Sequence, residues 1–241
     1  DLVVVTGALA TTGTSGTLTI TGAGSVDLSA LDVGFTTVNA GGATGGFTAE
    51  IGTNDDTVLT GSTGNDVITA STTDALATAD KLAVDAGDGT DTLVIAATAD
   101  INTAADAARY TNFETIKTND SVNTSLVSGV TNLNITGGTS EVYSEMSAVQ
   151  AANVTFSGAN TTSTVFTLAD ATGSSDSITI DLDSGTASTE VDVIGLSVIG
   201  IETVNLIATT GTNTTDDTAM GFLANTADAV SAINVTGGGA S

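Results

Sequence analysis

The sequence of 241 residues is 40% hydrophobic but only 13% charged, and 28 acidic residues against three basic ones give a formal net charge of -25. This charge opposes binding to nucleic acid or to anionic lipid, and it favours divalent cations. Cysteine is absent, which excludes disulfides and thiolate metal sites, and no apolar run approaches the roughly 20 residues that a membrane-spanning helix needs.

Short β-strands are predicted from the beginning of the chain. Residues 3–6 and 17–21 are β-branched or apolar, and glycine-rich turns separate them. No helical period connects these segments, so we expect strands of about four to six residues that follow one another directly.

Turns of one kind cluster between residues 45 and 95. Residues 86–94 (Ala-Gly-Asp-Gly-Thr-Asp-Thr-Leu-Val) fit the calcium-binding β-helix pattern G-G-x-G-x-D-x-U-x at every position but the first. Glycine allows left-handed backbone conformations, which turn carbonyl oxygens inward. The aspartate adds an anionic oxygen, and Ca²⁺ accepts six to eight oxygen ligands. The sequence therefore predicts a turn in which calcium binding and folding are coupled.

Three further segments resemble this turn less closely. Residues 61–68 are nearly a full match, residues 52–58 keep the acid and replace one glycine with asparagine, and residues 78–82 keep only the acid and the following leucine. The acids are spaced more widely than the strict nine-residue period, which predicts a short stack with bulged loops. The candidate calcium-site residues are Asn54, Asp56, Asp66, Asp80, Asp88 and Asp91, with Gly61, Gly64, Gly87 and Gly89 as turn glycines.

The second half of the chain repeats phrases of the first half. Asn-Ala-Gly-Gly at 39–42 is echoed at 134–138 and 234–238, and Phe-Glu-Thr-Ile at 113–116 is echoed by Ile-Glu-Thr-Val at 201–204. We therefore predict a β-solenoid segment with calcium turns (about 50–95) over residues 1–125, and a second, degenerate copy with the start of a third over residues 126–241. We expect the chain to be a segment of a longer protein.

Other features of the second half are less specific. Residues 103–110 and 144–152 favour one or two helical turns. Residues 172–176 resemble a degenerate metal turn that ends at Asp176. Glu114 and Glu202 are interpreted either as solvated carboxylates on strands or as hydrogen-bonding or metal-binding groups at the edge of a coil.

These residues resemble the RTX-type surface-layer proteins of Gram-negative bacteria. The resemblance rests on the turns at 61–69 and 86–94, on the two Glu-Thr phrases and on residues 168–176. It implies an all-β, right-handed parallel β-helix or β-solenoid with irregular coils and RTX-type calcium turns. It also implies type I secretion to the cell surface and calcium-dependent self-assembly into a two-dimensional lattice. Contact with cell-surface polysaccharide is expected only through parts outside this segment.

An RTX-type secreted adhesin or calcium-dependent binding module is the alternative that the sequence leaves open. For each aspartate, a solvated turn between strands is the simpler interpretation. We do not expect an enzyme, because histidine is absent and Arg109 has no basic neighbour. The acidic pairs at 55–56 and 216–217 lack the aromatic neighbours that stack on sugars. Nucleic acid and membrane insertion are not expected.

Overall fold

The structure is a computed structural model. It describes residues 3–4, 12–13, 15–71, 80–96, 101–183, 191, 193–208, 220–222 and 230–237. Residues 78–79 of the weakest predicted turn and the acidic pair at 216–217 lie outside the described residues. The regular structure is almost entirely parallel β-strand.

The chain divides into two compact units. The first comprises Asp1–Ile116 with Leu126–Gly129, and the second comprises Lys117–Ser125 with Val130–Ser241. This division falls close to residue 125, where the sequence places the end of its first copy, although the repeat itself stays a prediction.

Strands of two to nine residues follow one another in the first unit. With one short helix, the elements in chain order are β1 Val3–Val4, β2 Gly16–Gly22, β3 Val26–Ala30, β4 Phe35–Ala43, β5 Phe47–Gly52, β6 Val58–Thr60, β7 Val67–Ser71, β8 Ala83–Asp85, β9 Thr92–Ile95, α1 Ala104–Ala107, β10 Tyr110–Thr111 and β11 Thr115–Thr118. Strand β11 extends into the second unit.

The second unit continues in the same manner. Its elements are β12 Val122–Asn123, β13 Asn132–Ile135, β14 Gly138–Met146, α2 Ala148–Ala151, β15 Val154–Phe156, β16 Asn160–Leu168, β17 Ser177–Leu182, β18 Val193–Ile199, β19 Thr203–Ala208, β20 Met220–Phe222 and β21 Ala232–Gly237.

In each unit, odd-numbered and even-numbered strands form separate sheets. In the first unit the neighbours are β1-β3-β5-β7-β9-β11 in one sheet and β2-β4-β6-β8-β10 in the other, and in the second unit they are β13-β15-β17-β19-β21 and β12-β14-β16-β18-β20. Every coil thus adds one strand to each sheet, with a turn at each edge. This arrangement is a parallel β-solenoid, and it confirms the predicted all-β, parallel β-helix or β-solenoid fold.

Stacked apolar side chains between the two sheets form the core. Val38, Leu59 and Val84 are register partners in β4, β6 and β8, and all three are at most 1% exposed. Ile68 and Leu93 form the matching column in β7 and β9. Side chains alternate between the two faces of a strand, so this register also fixes which residues enter each turn.

The two short helices confirm the helical turns expected from the sequence. Thr103 caps α1 by accepting the N–H of Asp106, and Ser147 forms a capping box with Gln150 at α2. Each helix has four residues, and β10 and β14 include part of the remaining residues of the two predicted segments. Among the described residues, no helix has the length and apolar character needed to span a membrane.

Candidate metal-binding turns

Two of the predicted turns lie directly on each other at one edge of the first unit. The 61–66 turn joins β6 to β7, and the 86–91 turn joins β8 to β9. The strands on both sides are paired in parallel, and the residues that follow Asp66 and Asp91 are register partners. The structure therefore places these two aspartates at equivalent positions in consecutive coils.

The turn glycines allow the two coils to approach closely. A Cβ atom at Gly61 would overlap the carbonyl oxygen of Ala86, and one at Gly64 would come within 2.9 Å of the backbone of the preceding coil. Gly87 and Gly89 have φ angles of 95° and 143°, in the region that side chains with a Cβ rarely adopt. These four predicted residues thus serve backbone conformation and packing.

Asp66 is satisfied by donors of the protein itself. Its side chain is fully buried. Oδ1 accepts hydrogen bonds from the N–H of Phe47 at 2.7 Å and from Ser62 Oγ at 2.6 Å, and Oδ2 accepts the N–H of Ser62 at 2.6 Å. Burial raises the pKa of Asp66 above its usual value, and the hydrogen bonds from Ser62 oppose this shift. Both carboxylate oxygens are therefore already bonded.

Asp91 is also fully buried, but only one of its oxygens is bonded. Oδ1 accepts the N–H of Asp66 at 2.7 Å, whereas Oδ2 is buried with no hydrogen-bond partner. Burial raises the pKa of Asp91 to about 6, and the nearby charges of Asp66, Glu114 and Asp85 add to the shift. A buried anionic oxygen without a partner is costly, so this position favours a bound cation.

The space beside Asp91 is lined by oxygen atoms. A Cβ atom at Gly89 would lie 2.6 Å from the carbonyl oxygen of Gly64 and 2.9 Å from Asp91 Oδ1. The two oxygens therefore flank one small volume that only a glycine leaves open. Carboxylate and carbonyl oxygens are the ligands that Ca²⁺ prefers, so the residues present fit this ion. The side chain of Asp88, in the same turn, is exposed.

Asp56 and Asp80 lie at the other edge of the coil. The turn that carries Asp56 joins β5 to β6, so Asp56 and Asp66 are at opposite ends of β6. Asp56 is exposed, and its Oδ1 accepts the N–H of Lys81, the residue after Asp80, at 3.3 Å. The structure thus brings four of the five predicted aspartates together as two pairs, Asp66 with Asp91 and Asp56 with Asp80, and not as one row. Their role as calcium ligands stays a prediction.

A pocket of about 250 Å³ adjoins this second pair. Asn54, which is 4% exposed, donates from Nδ2 to the carbonyl of Leu31 at 2.9 Å, and its Oδ1 is buried without a partner. The lining residues are Val33, Phe35, Thr36, Thr53, Asn54, Asp55, Asp56, Thr57 and Asp80. In the part of the chain that the structure describes, no three Asp, Glu, His or Cys side chains are gathered closely enough to hold a metal by themselves.

Glu114 and Glu202 accept hydrogen bonds at the edges of the coils, a role that the sequence left open. Glu114 Oε2 accepts the N–H of Asp91 at 2.8 Å, and Glu202 Oε2 accepts the N–H of Asp176 at the same distance. In both places the aspartate carbonyl accepts the N–H of that glutamate in return. The structure thus places both glutamates in a hydrogen-bonding role. The available signal was the matching position of the two Glu-Thr phrases.

Asp66, Asp91 and Glu114 form a carboxylate ladder through consecutive coils. Each carboxylate accepts the N–H of the equivalent residue one coil earlier: Asp66 from Phe47, Asp91 from Asp66, and Glu114 from Asp91. These bonds satisfy backbone donors that the turns leave unpaired. The ladder also brings like charges together, and two unit charges 4 Å apart repel by about 4 kcal/mol at an effective dielectric constant near 20.

The fold and these turns define the chain as a parallel β-solenoid with stacked glycine–aspartate turns. Comparison with protein-family models, curated proteins and solved structures finds no match to the chain. The relation to RTX-type proteins therefore stays an expectation drawn from the turn residues.

Proposed function

We propose that the chain is a calcium-dependent structural segment of a bacterial surface layer, secreted by a type I system. The observation that carries this proposal is Asp91 Oδ2, an oxygen buried inside a glycine turn with no partner from the protein. A carboxylate in this position makes the stack of coils depend on a cation, and the net charge of -25 attracts one.

Residues of the 86–91 turn and of the coil before it would contribute to calcium binding in different ways. Asp91 Oδ1 is held in place by the N–H of Asp66, which leaves Oδ2 for the ion. The missing side chain of Gly89 keeps the space beside Oδ1 of this carboxylate open, and the carbonyl oxygen of Gly64, from the coil before, borders the same space. Bound calcium would supply positive charge and coordination positions for these oxygens.

Without a cation, the carboxylate ladder opposes closure of the coils. Ionised Asp66, Asp91 and Glu114 repel one another, and the unbonded oxygen of Asp91 remains desolvated. Calcium that binds only the folded chain stabilises it by mass action. Because cytosolic calcium is low, the chain would stay unfolded for export and would fold outside the cell.

A lattice role is supported by rows of short polar side chains on the outer faces. Asn234 Nδ2 donates to Asn205 Oδ1 at 2.8 Å, and Asn205 Nδ2 donates to Thr179 Oγ1 at 3.4 Å, so one row crosses three coils. Ser140 and Thr162 bond in the same way on the other sheet, at 3.2 Å. Such repeated faces suit repeated contacts between copies of the chain.

Purified chain in EGTA and in calcium chloride tests this proposal. We expect calcium to raise the melting temperature measured by circular dichroism, and to produce ordered sheets in negative-stain electron microscopy. Saturable binding to a glycan without self-assembly would favour the adhesin. Full β-structure and an unchanged melting temperature in excess EGTA would refute the calcium dependence.

A further inference from the structure

The two stacked turns can be compared directly, because they occupy equivalent positions in consecutive coils and differ in the residue four positions before the aspartate. Ser62 in the 61–66 turn is equivalent to Gly87 in the 86–91 turn, since the turns align at their aspartates and at Gly64 and Gly89. A Cβ atom at Gly87 would overlap the carbonyl oxygen of Ser62. The two positions are thus in direct contact.

Ser62 occupies both oxygens of its aspartate. Its N–H donates to Asp66 Oδ2 at 2.6 Å and its hydroxyl donates to Asp66 Oδ1 at 2.6 Å. The same hydroxyl accepts the N–H of Gly64 at 3.0 Å. The serine therefore satisfies the aspartate of its own turn, and its two bonds to the carboxylate are short and charge-assisted.

Gly87 does none of this at the equivalent position. Having no hydroxyl, it offers only its N–H, which donates to Asp85 Oδ1 at 3.1 Å. Because this N–H bonds Asp85 and not Asp91, Asp91 Oδ2 is left without a donor. Two aspartates that the sequence pattern treats alike thus differ in whether an oxygen remains for a ligand.

We propose that Ser62 takes the place of a cation at Asp66. A cation at Asp66 would have to break both hydrogen bonds that Ser62 donates to the carboxylate and leave the buried Ser62 N–H without an acceptor. The 61–66 turn is then closed at any calcium concentration, and it presents the Asp66 N–H and the Gly64 carbonyl to the turn above. The stacked pair holds one divalent cation, centred on Asp91, and not two. This inference rests on the calcium role proposed for the 86–91 turn.

Replacing Ser62 with glycine, the residue of the equivalent position, is the most direct test. Ser62→Gly removes the hydroxyl bond to Asp66 Oδ1, and the glycine backbone allows the N–H to turn away from Oδ2, as the N–H of Gly87 turns to Asp85. We expect a lower melting temperature in EGTA, a larger calcium-induced rise than in the wild type, and one additional equivalent of bound calcium by equilibrium dialysis. Magnesium chloride serves as the comparison cation.

Ser71→Gly is the matched control. Ser71 is as buried as Ser62, and its hydroxyl donates to the backbone carbonyl of Gly52 at 3.0 Å. Its loss should lower the melting temperature by the same amount in EGTA and in calcium, with no change in the number of bound ions.

Asn substitutions at the two aspartates separate this inference from the proposed function. Asp91→Asn should remove one equivalent of calcium, whereas Asp66→Asn should lower stability equally with and without calcium and remove none. The inference is overturned if Asp66→Asn removes a bound ion, or if Ser62→Gly responds to calcium as the wild type does. If the wild type binds no calcium, the proposed function fails, yet a calcium response gained by Ser62→Gly would still support the role of Ser62.

Discussion

Replacing Asp91 with asparagine should stabilise the chain when calcium is absent. The substitution keeps Oδ1, which accepts the N–H of Asp66, and it exchanges the unbonded Oδ2 for an uncharged amide group. It removes the charge that burial and the neighbouring carboxylates disfavour. A gain of stability from the loss of a buried carboxylate is unusual, because most single substitutions destabilise a protein.

The magnitude follows from the pKa of Asp91, which is about 6 instead of its model-compound value of 3.8. Each pKa unit corresponds to about 1.4 kcal/mol, so ionised Asp91 destabilises the folded chain by roughly 2 to 3 kcal/mol above pH 6. The folded state binds the proton more tightly than the unfolded state does. Stability in EGTA therefore falls as pH rises from about 4 to about 6, and it is level above that.

Thermal melts across this pH range, in EGTA and in calcium, are the assay. In EGTA at pH 7, the free energy of unfolding of Asp91→Asn should exceed that of the wild type by up to about 2 to 3 kcal/mol, and the difference should vanish near pH 4. In calcium, wild-type stability should instead rise with pH, because the ion and the proton compete for one carboxylate. The variant should show no calcium response from this turn.

Glu50→Gln, which removes an exposed carboxylate from β5, controls for the change in net charge. It should shift stability by no more than about 0.5 kcal/mol. If Asp91→Asn is less stable than the wild type in EGTA at pH 7, or if it keeps the full calcium response, the reasoning about the unbonded oxygen is wrong.

Two further predictions concern close packing and the bonded glutamates. Gly61→Ala should cost about 1 to 3 kcal/mol, measured by urea unfolding, because its Cβ would overlap backbone of the next coil; Gly13→Ala, where a Cβ meets nothing within 4 Å, should be close to neutral. Glu114→Ala should cost about 1 to 3 kcal/mol by leaving the N–H of Asp91 without its acceptor, whereas Glu114→Gln, which keeps an acceptor oxygen, should retain most of the stability. Equal losses in both glutamate variants would show that charge, and not the hydrogen bond, is what matters there.

The solenoid could be predicted from the sequence because the residues that form each coil lie close together along the chain. Each coil needs a short apolar strand, a turn rich in glycine and a second strand, and these recur within about 25 residues along the chain. Leu93, two residues after Asp91, faces the core as the pattern requires and stacks on Ile68. The same pattern predicted that Asp66 and Asp91 belong to one stack of turns, with the Asp80 turn between them, whereas the structure places Asp66 and Asp91 in consecutive coils.

The placement of Asp56 and Asp80 could not be predicted in the same way. A turn pattern identifies a turn but not the edge of the coil at which it lies, since that depends on the number of strands passed since the previous turn. Only the three-residue strand β6 separates the turn of Asp56 from the 61–66 turn, so the two turns lie at opposite edges. The pattern gave no indication of this separation.

The repeated phrases differ in how well they mark structural positions. Asn39 lies in the even-numbered strand β4, whereas Asn134 and Asn234 lie in the odd-numbered strands β13 and β21, so this phrase does not mark one position. Glu114 and Glu202, in contrast, precede the odd-numbered strands β11 and β19 and make the same bonds to the preceding coil. A short polar phrase fits many strands, but a glutamate that must reach a backbone N–H is tied to one register.

The two carboxylate oxygens of each turn aspartate have different roles. A match to the turn pattern and a capacity to bind a cation are therefore separate properties. At Asp66 and Asp91, one oxygen serves the backbone of the coil before, and this role needs no metal. The second oxygen determines whether a ligand position remains. At Asp66 it accepts the N–H of Ser62. At Asp91, and also at Asp176, whose turn fits the pattern poorly, it is buried and unbonded. For the cation binding that we propose, the state of that oxygen, and not the number of matching glycines, therefore ranks Asp91 and Asp176 above Asp66.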